Sequence, residues 1–315
     1  MSVLDRRLVL LTGKGGVGKS TLTAGLAVAA AARGGRPLIV EVGGRGVMGS
    51  IFGRASGHAP APVSEGAAIW GVDIDLEEAL CDFVVEQVKI RRLARAIVDH
   101  PALRGLLRAA PAVREVVTLA RIAALVAAVE RGRPRWSPVL VDLDATGHAL
   151  MLLEMPRVIA ALVGGGPLAR VGHDFEALLG DPTRTSLLLV GLAAEVPAEE
   201  TLELHRAVTS RTSVRVGGVL LNQVPAPLPI ADDAALALAE ERARLADVGP
   251  ILDDVDLARR RLRAREVALA VAERVRGAMP GVPVVLVPRV DGGAGRGDLR
   301  GLGEGIVRDL GGHVG

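Results

Sequence analysis

The stretch RLVLLTGKGGVGKST, Arg7 to Thr21, decides how this chain folds. Arg7 to Thr12 is a short apolar run of the kind that forms a buried strand, and Gly13 to Ser20 fits the spacing G-x-x-x-x-G-K-S. An Ala/Leu-rich helical stretch runs on to about Arg33, and a second apolar run, Pro37 to Val42, completes a βαβ unit. Between strand and helix, the backbone of Gly13, Lys14, Gly15, Gly16, Val17 and Gly18 can turn successive N–H groups toward one anion, and the helix N-terminus adds its dipole. The spacing then assigns Lys19 to the β- and γ-phosphates, Ser20 to Mg²⁺ and Thr21 to the neighbourhood of the α-phosphate. The ligand expected is a nucleoside triphosphate, ATP with Mg²⁺.

Lysine usage supports the same reading. The chain has 38 Lys and Arg residues, but its lysines are only Lys14, Lys19 and Lys89. Two of them fall inside this one glycine loop. A compact ammonium on a flexible stem enters a phosphate cradle where a planar guanidinium does not fit.

Length and composition bound the rest. With 315 residues, half of them hydrophobic, the chain can bury a large core, and with 3 Phe, 2 Trp and no Tyr that core must be aliphatic. No window approaches the roughly 18 apolar residues of a membrane span. The N-terminal apolar run leads into the glycine loop, so it reads as a strand and not as a signal peptide. The expected location is the cytoplasm. Cys81 is the single cysteine, which excludes an internal disulfide and a multi-cysteine zinc site. Arginine-rich stretches (Lys89 to Ala96, Ala258 to Glu266) are interleaved with leucine and alanine at helical spacing and read as solvated helix faces. Few aromatics are present for single-stranded bases to stack upon. The six histidines, at 58, 100, 148, 173, 205 and 313, show no metal spacing. Met48, Met151 and Met155 suit either core packing or a flexible apolar groove.

Further along the chain, residues 68–74 suggest a strand at a sheet edge. Three helical segments follow at 76–99, 101–109 and 111–131, then a strand over 137–144 and helices at 148–162 and 173–180. Strands at 185–193, 216–221 and 282–287 alternate with helices at 197–211, 233–245, 255–279 and 297–310, and the Gly/Pro-rich patches 53–66 and 289–297 read as loops. Nearly continuous apolar strands separated by helices indicate a doubly wound α/β fold. The expectation is a mostly parallel sheet of seven to eight strands in one domain over 1–315, with a helical insertion subdomain at about 76–135 and 148–182.

Several segments carry a family resemblance. GKGGVGKS, with Lys14 beside Lys19, resembles the deviant Walker A loop of the MinD/ArsA class of P-loop ATPases. VDLDATGHALMLLEMPR (Val141 to Arg157) resembles the D-x-x-x-T-G-H-x-L segment of the arsenite-pump ATPase and of the guided-entry ATPase for tail-anchored proteins. VPAEETLELHRAV (Val196 to Val208), GGVLLNQV (Gly217 to Val224) and VVLVPRV (Val284 to Val290) resemble later segments of that family. The resemblance implies that Lys14 reaches a partner subunit's nucleotide, that Asp142 holds Mg²⁺ with Ser20, that Asn222 reads the adenine, and that the loop of Pro288 and Arg289 closes over the base. It also implies a dimer around nucleotide, either a homodimer or a heterodimer with an ArsA-like paralogue as in the bacterial paired ATPases, and a hydrophobic client.

Where the family carries its switch I aspartate, this chain has Gly43, which cannot activate water. Glu41, two residues earlier on the same strand face, or Asp144 is left for that role, and Arg45 for a phosphate contact. The lone Cys81 cannot build a zinc-bridged dimer or a multi-thiol arsenite site. Three functions follow: an ATPase coupling nucleotide state to its helical subdomain, a regulatory subunit that binds ATP without cleaving it, and a MinD/ParA-like partitioning ATPase. The third is disfavoured because the C-terminus, GIVRDLGGHVG, has no basic amphipathic anchor.

Overall fold

The apolar run that precedes the glycine loop forms strand β1 (Leu8–Gly13), buried along its whole length. The computed structural model describes residues 2–42, 46–66, 68–101, 111–162, 164–228, 233–246, 248–290 and 296–311. Its other strands are β2 (Leu38–Val42), β3 (Ala61–Pro62), β4 (Trp70–Ile74), β5 (Val129–Glu130), β6 (Arg133–Pro134), β7 (Val139–Ala145), β8 (Thr185–Leu192), β9 (Val216–Val224) and β10 (Val284–Pro288). The helices are α1 (Lys19–Ala32), α2 (Val47–Phe52), α3 (Leu76–Val88), α4 (Arg91–Val98), α5 (Pro111–Ala127), α6 (Thr146–Leu162), α7 (Pro167–Gly180), α8 (Glu195–Arg211), α9 (Asp233–Leu245), α10 (Gly249–Ala278) and α11 (Arg296–Gly311).

Eight strands form one sheet in the order β10-β9-β8-β1-β7-β2-β4-β3. Every pairing is parallel except that of β3 with β4. The expected doubly wound sheet is therefore present. Strand alternation divides the core in two. Leu8, Leu10, Val40, Val141 and Leu187 point into one apolar layer, shared with residues of α3 to α8 and α10. Val9, Leu11, Ile39, Leu140 and Leu188 point into the other, against α1, α2 and α11. Met48 and Met155 are buried in these layers, as ordinary core residues.

Local departures from the sequence expectation have local causes. The strand at 68–74 is β4, and it is not an edge: β3, drawn from the patch read as a loop, covers it. The helix expected over 76–99 breaks at Lys89, whose φ of 59° is left-handed, and α4 restarts after an extended Ile90. The helix expected to reach 131 stops at Ala127, because Arg131 and Gly132 both adopt positive φ and close the β5–β6 hairpin. The segment expected to be helical at 101–109 lies almost wholly outside the described residues.

Candidate functional site

In a parallel sheet ligands gather beyond the carboxyl ends of the strands, and the glycine loop leaves β1 at that edge, near the middle of the sheet. Two of its glycines are required by close approach. A Cβ on Gly13 would lie 2.0 Å from the carbonyl oxygen of Val190 on β8. Gly18, at φ 95°, is the N-cap of α1, and a Cβ there would lie 2.3 Å from Nδ2 of Asn222. No side chain caps α1, so its N-terminus faces the cavity with backbone alone.

That cavity has a volume of about 260 Å³ and is lined by Gly18, Lys19, Ser20, Glu41, Val47 and Asp142 among others. Lys19 is buried, and its Nζ donates to the carbonyl oxygens of Gly13 at 3.1 Å and Lys14 at 3.0 Å. The ammonium is thus folded back into the loop it serves. Ser20 Oγ donates to Asp142 Oδ2 across the cavity floor. Asp142 is brought there by register: on β7 it pairs with Leu11 of β1 and with Glu41 of β2. Thr21 follows on α1 and lines the same cavity, while Gly15, Gly16 and Val17 form the loop's outer turn, with Val17 buried.

Glu41 is 3% exposed. Its Oε1 accepts from the backbone N–H of Met48 at 3.0 Å and its Oε2 from Ser56 Oγ at 2.9 Å. The carboxylate therefore lines the cavity while it anchors α2 and the segment after it. Gly43 and Arg45 lie outside the described residues, as does the side chain of Asp144.

Asn222, at the end of β9, donates from Nδ2 to the carbonyl oxygen of Val17 at 2.8 Å, bracing the glycine loop. Pro288 and Arg289 are exposed at the end of β10, where the Arg289 N–H donates to the Val224 carbonyl. They share the sheet edge with Asn222 and the loop. Lys14 is exposed and forms a 2.7 Å ion pair with Glu200 of α8. Thr146, Gly147 and His148 open α6, and His148 Nδ1 lies 3.5 Å from Oε1 of Glu115, a buried carboxylate on α5.

Sequence reasoning missed Ser56, Glu115 and Glu200. Ser56 and Glu115 sit in no motif, Glu200 falls in the Val196–Val208 segment with nothing to single it out, and their spacing from the residues they contact ranges from 15 to 186 positions. Only the fold brings these pairs together.

The profile of the anion-transporting (ArsA-type) ATPase family matches residues 6–165, just over half of the chain. The chain belongs to that family. Among similar proteins, ATPase BagA of Mycobacterium tuberculosis is 29% identical over 96% of this chain and 93% of its own length. The arsenical pump-driving ATPase of Escherichia coli is 26% identical over 78% of this chain and 45% of its own. ATPase GET3 of Malassezia globosa is 27% identical over 57% of this chain and 54% of its own. Membership in the ArsA-type family brings an ATP-binding P-loop fold. The matched segment contains the glycine loop, Glu41 and Asp142; Asn222, Pro288 and Arg289 fall beyond it. Among the described residues no helix is long and apolar enough to cross a membrane.

Proposed function

We propose that this chain binds Mg-ATP at the loop Gly13 to Thr21 and works in the cytoplasm as one half of a dimer that closes around nucleotide. The partner is a second copy or an ArsA-like paralogue. In this reading the chain acts as one domain over 1–315, and the helices within 76–135 and 148–182 present a surface to a hydrophobic client. The observation that carries it is the cavity floor, where a buried lysine, a serine hydroxyl and a carboxylate converge beside an uncapped helix N-terminus. Their donor set suits the ligand: Ser20 Oγ and the Asp142 carboxylate are hard oxygen ligands of the kind Mg²⁺ takes, and Lys19 needs only to leave two backbone carbonyls to meet phosphate. Bound there, Mg²⁺ would neutralise charge on the phosphates. Asn222, Pro288 and Arg289 form the side of the site proposed to hold the base.

Lys14 is the residue proposed to serve the partner's nucleotide. Within one chain it is occupied by Glu200, so dimer closure exchanges one anion for another. A client surface is supported by Ile90, the extended residue that caps α4, and by Leu93 and Ile97 on that helix, which are 57%, 48% and 38% exposed.

A second reading, ATP held without turnover, is favoured by Glu41. Both of its carboxylate oxygens are engaged by structural donors, the Met48 N–H and the Ser56 hydroxyl, so the carboxylate is committed to holding α2 and the segment after it. Phosphate release and fluorescent-nucleotide binding, measured on the chain alone and with a paralogue, separate the readings. Turnover above a Lys19→Ala control supports the ATPase. Binding without turnover supports the regulatory subunit, and no binding rejects both.

A further inference from the structure

We propose that His58 is a positioning residue that ties the cavity-lining carboxylate of Glu41 to helices α3 and α5, acting through Ser56. The proposal rests on the nucleotide reading of the cavity. The path is short: two residues of backbone join Ser56 to His58, and the other links are hydrogen bonds or an ion pair. Glu41 Oε2 accepts from Ser56 Oγ at 2.9 Å. Next along the chain, the carbonyl of Gly57 accepts from the Asp73 N–H of β4 at 2.9 Å, which pins this segment to the sheet. His58 Nε2 lies 2.9 Å from Asp82 Oδ2 on α3, and the His58 carbonyl accepts from Arg121 Nη2 on α5 at 2.9 Å. Arg121 also pairs with the same Asp82 oxygen, at 3.2 Å, so one histidine sits between both helices.

Chemistry gives this path a direction. An ionised carboxylate only accepts, so Nε2 carries the proton in the His58–Asp82 bond. Asp82 stays ionised: burial alone would raise its pKa, but the hydrogen bond from His58 and the charge of Arg121 hold it below the ordinary value. At the other end, Glu41 is a buried carboxylate in the same cavity that would take a polyphosphate and its cation. Charge entering that cavity acts on Glu41 directly. Of its two donors, the Met48 N–H is fixed in the first turn of α2, whereas Ser56 Oγ lies in an irregular segment whose anchor to the sheet, the Gly57–Asp73 bond, is the pivot for any shift. Movement of Ser56 carries His58 with it, two residues away, and so alters the hold on α3 and α5. By reciprocity, whatever binds those helices acts back on Glu41. This route is separate from the one through α6, whose first turn follows β7.

Hydrogen–deuterium exchange on the full chain, with and without Mg²⁺ and a non-hydrolysable ATP analogue, tests the proposal. In the native protein the analogue protects α1 and changes exchange in α3 and α5. His58→Ala keeps the protection of α1 and reduces the α3 and α5 response by about threefold or more, a loss of roughly 0.7 kcal/mol of coupling. His58→Gln, whose amide can still donate to Asp82, retains most of it. Ser56→Ala removes one hydroxyl, leaves the His58–Asp82 contact in place, and gives the same loss, so a poorly folding His58→Ala protein does not blunt the test. A full α3 and α5 response in His58→Ala or Ser56→Ala overturns the proposal, as does α1 protection in the native protein without any change in α3 and α5. No protection of α1 in the native protein rejects the nucleotide reading itself, and the His58 assignment with it.

Discussion

Gly18 concentrates the demands of the site in one residue. It caps α1 at φ 95°, and its α-carbon leaves no room for a side chain beside Asn222 Nδ2. Gly18→Ala meets two penalties. Left-handed backbone costs an L-residue roughly 1–2 kcal/mol, and Asn222 must give up its bond to the Val17 carbonyl. The expected outcome is a loss of nucleotide affinity of about tenfold or more, read by fluorescent-nucleotide titration. Adding Asn222→Ala recovers only part of it, because the backbone strain remains; unchanged affinity in Gly18→Ala would show that the loop does not bind in this geometry. The glycine loop was legible from sequence because its chemistry lies in consecutive residues. Asn222 was legible only through family likeness, and its contact with Val17 spans 205 positions that no local pattern encodes. Glu41 was identified as a carboxylate facing the site, but its hydrogen bonds to Met48 and Ser56 depend on how the chain returns after β2.

Among the elements, α3 shows how electrostatics ties a helix to the rest of the fold. Asp82 accepts from His58 and Arg91 and pairs with Arg121, while Glu78 one turn earlier engages Arg91 and Arg95 of α4. Because the folded pKa of Asp82 lies below its ordinary value of 3.8, the unfolded chain binds its proton first as pH falls. Its stabilising contribution is therefore complete above that value and is lost as the pH drops through the lower native one. Denaturant midpoints of the native protein and Asp82→Asn should differ most near neutral pH and converge in acid; a difference independent of pH would remove ionisation of Asp82 from the account. Element type was read correctly wherever apolar spacing was sustained, as in β8, α8 and α9. It failed at Lys89, whose left-handed backbone ends α3, and after Ala127, where the chain enters the β5–β6 hairpin that turns at left-handed Arg131 and Gly132. Two-residue strands such as β3 carry too little pattern to be read at all.

On the scale of the whole molecule, the order of strands matters more than any one of them. The parallel arrangement gathers the glycine loop, Asp142, Asn222 and Pro288 at one sheet edge, although they span most of the sequence. It also sends the two tryptophans to the opposite edge, since Trp70 starts β4 and Trp136 precedes β7. There their rings lie 5.3 Å apart with the Arg36 guanidinium over both, at 4.8 and 4.9 Å. With no tyrosine in the chain, this pair dominates the intrinsic fluorescence. Its signal should accordingly follow global unfolding and stay insensitive to nucleotide in the folded state. That separation makes it a clean reporter of linkage. A ligand that binds only the folded chain, at roughly 100 times its Kd, adds about 2.7 kcal/mol of stability. Mg-ATP should therefore raise the denaturant midpoint of tryptophan emission in the native protein and leave Lys19→Ala where it was. Equal shifts in both proteins would mean that nucleotide stabilises the fold somewhere other than the loop at the end of β1. Equal midpoints with and without nucleotide in the native protein would mean that the loop takes none.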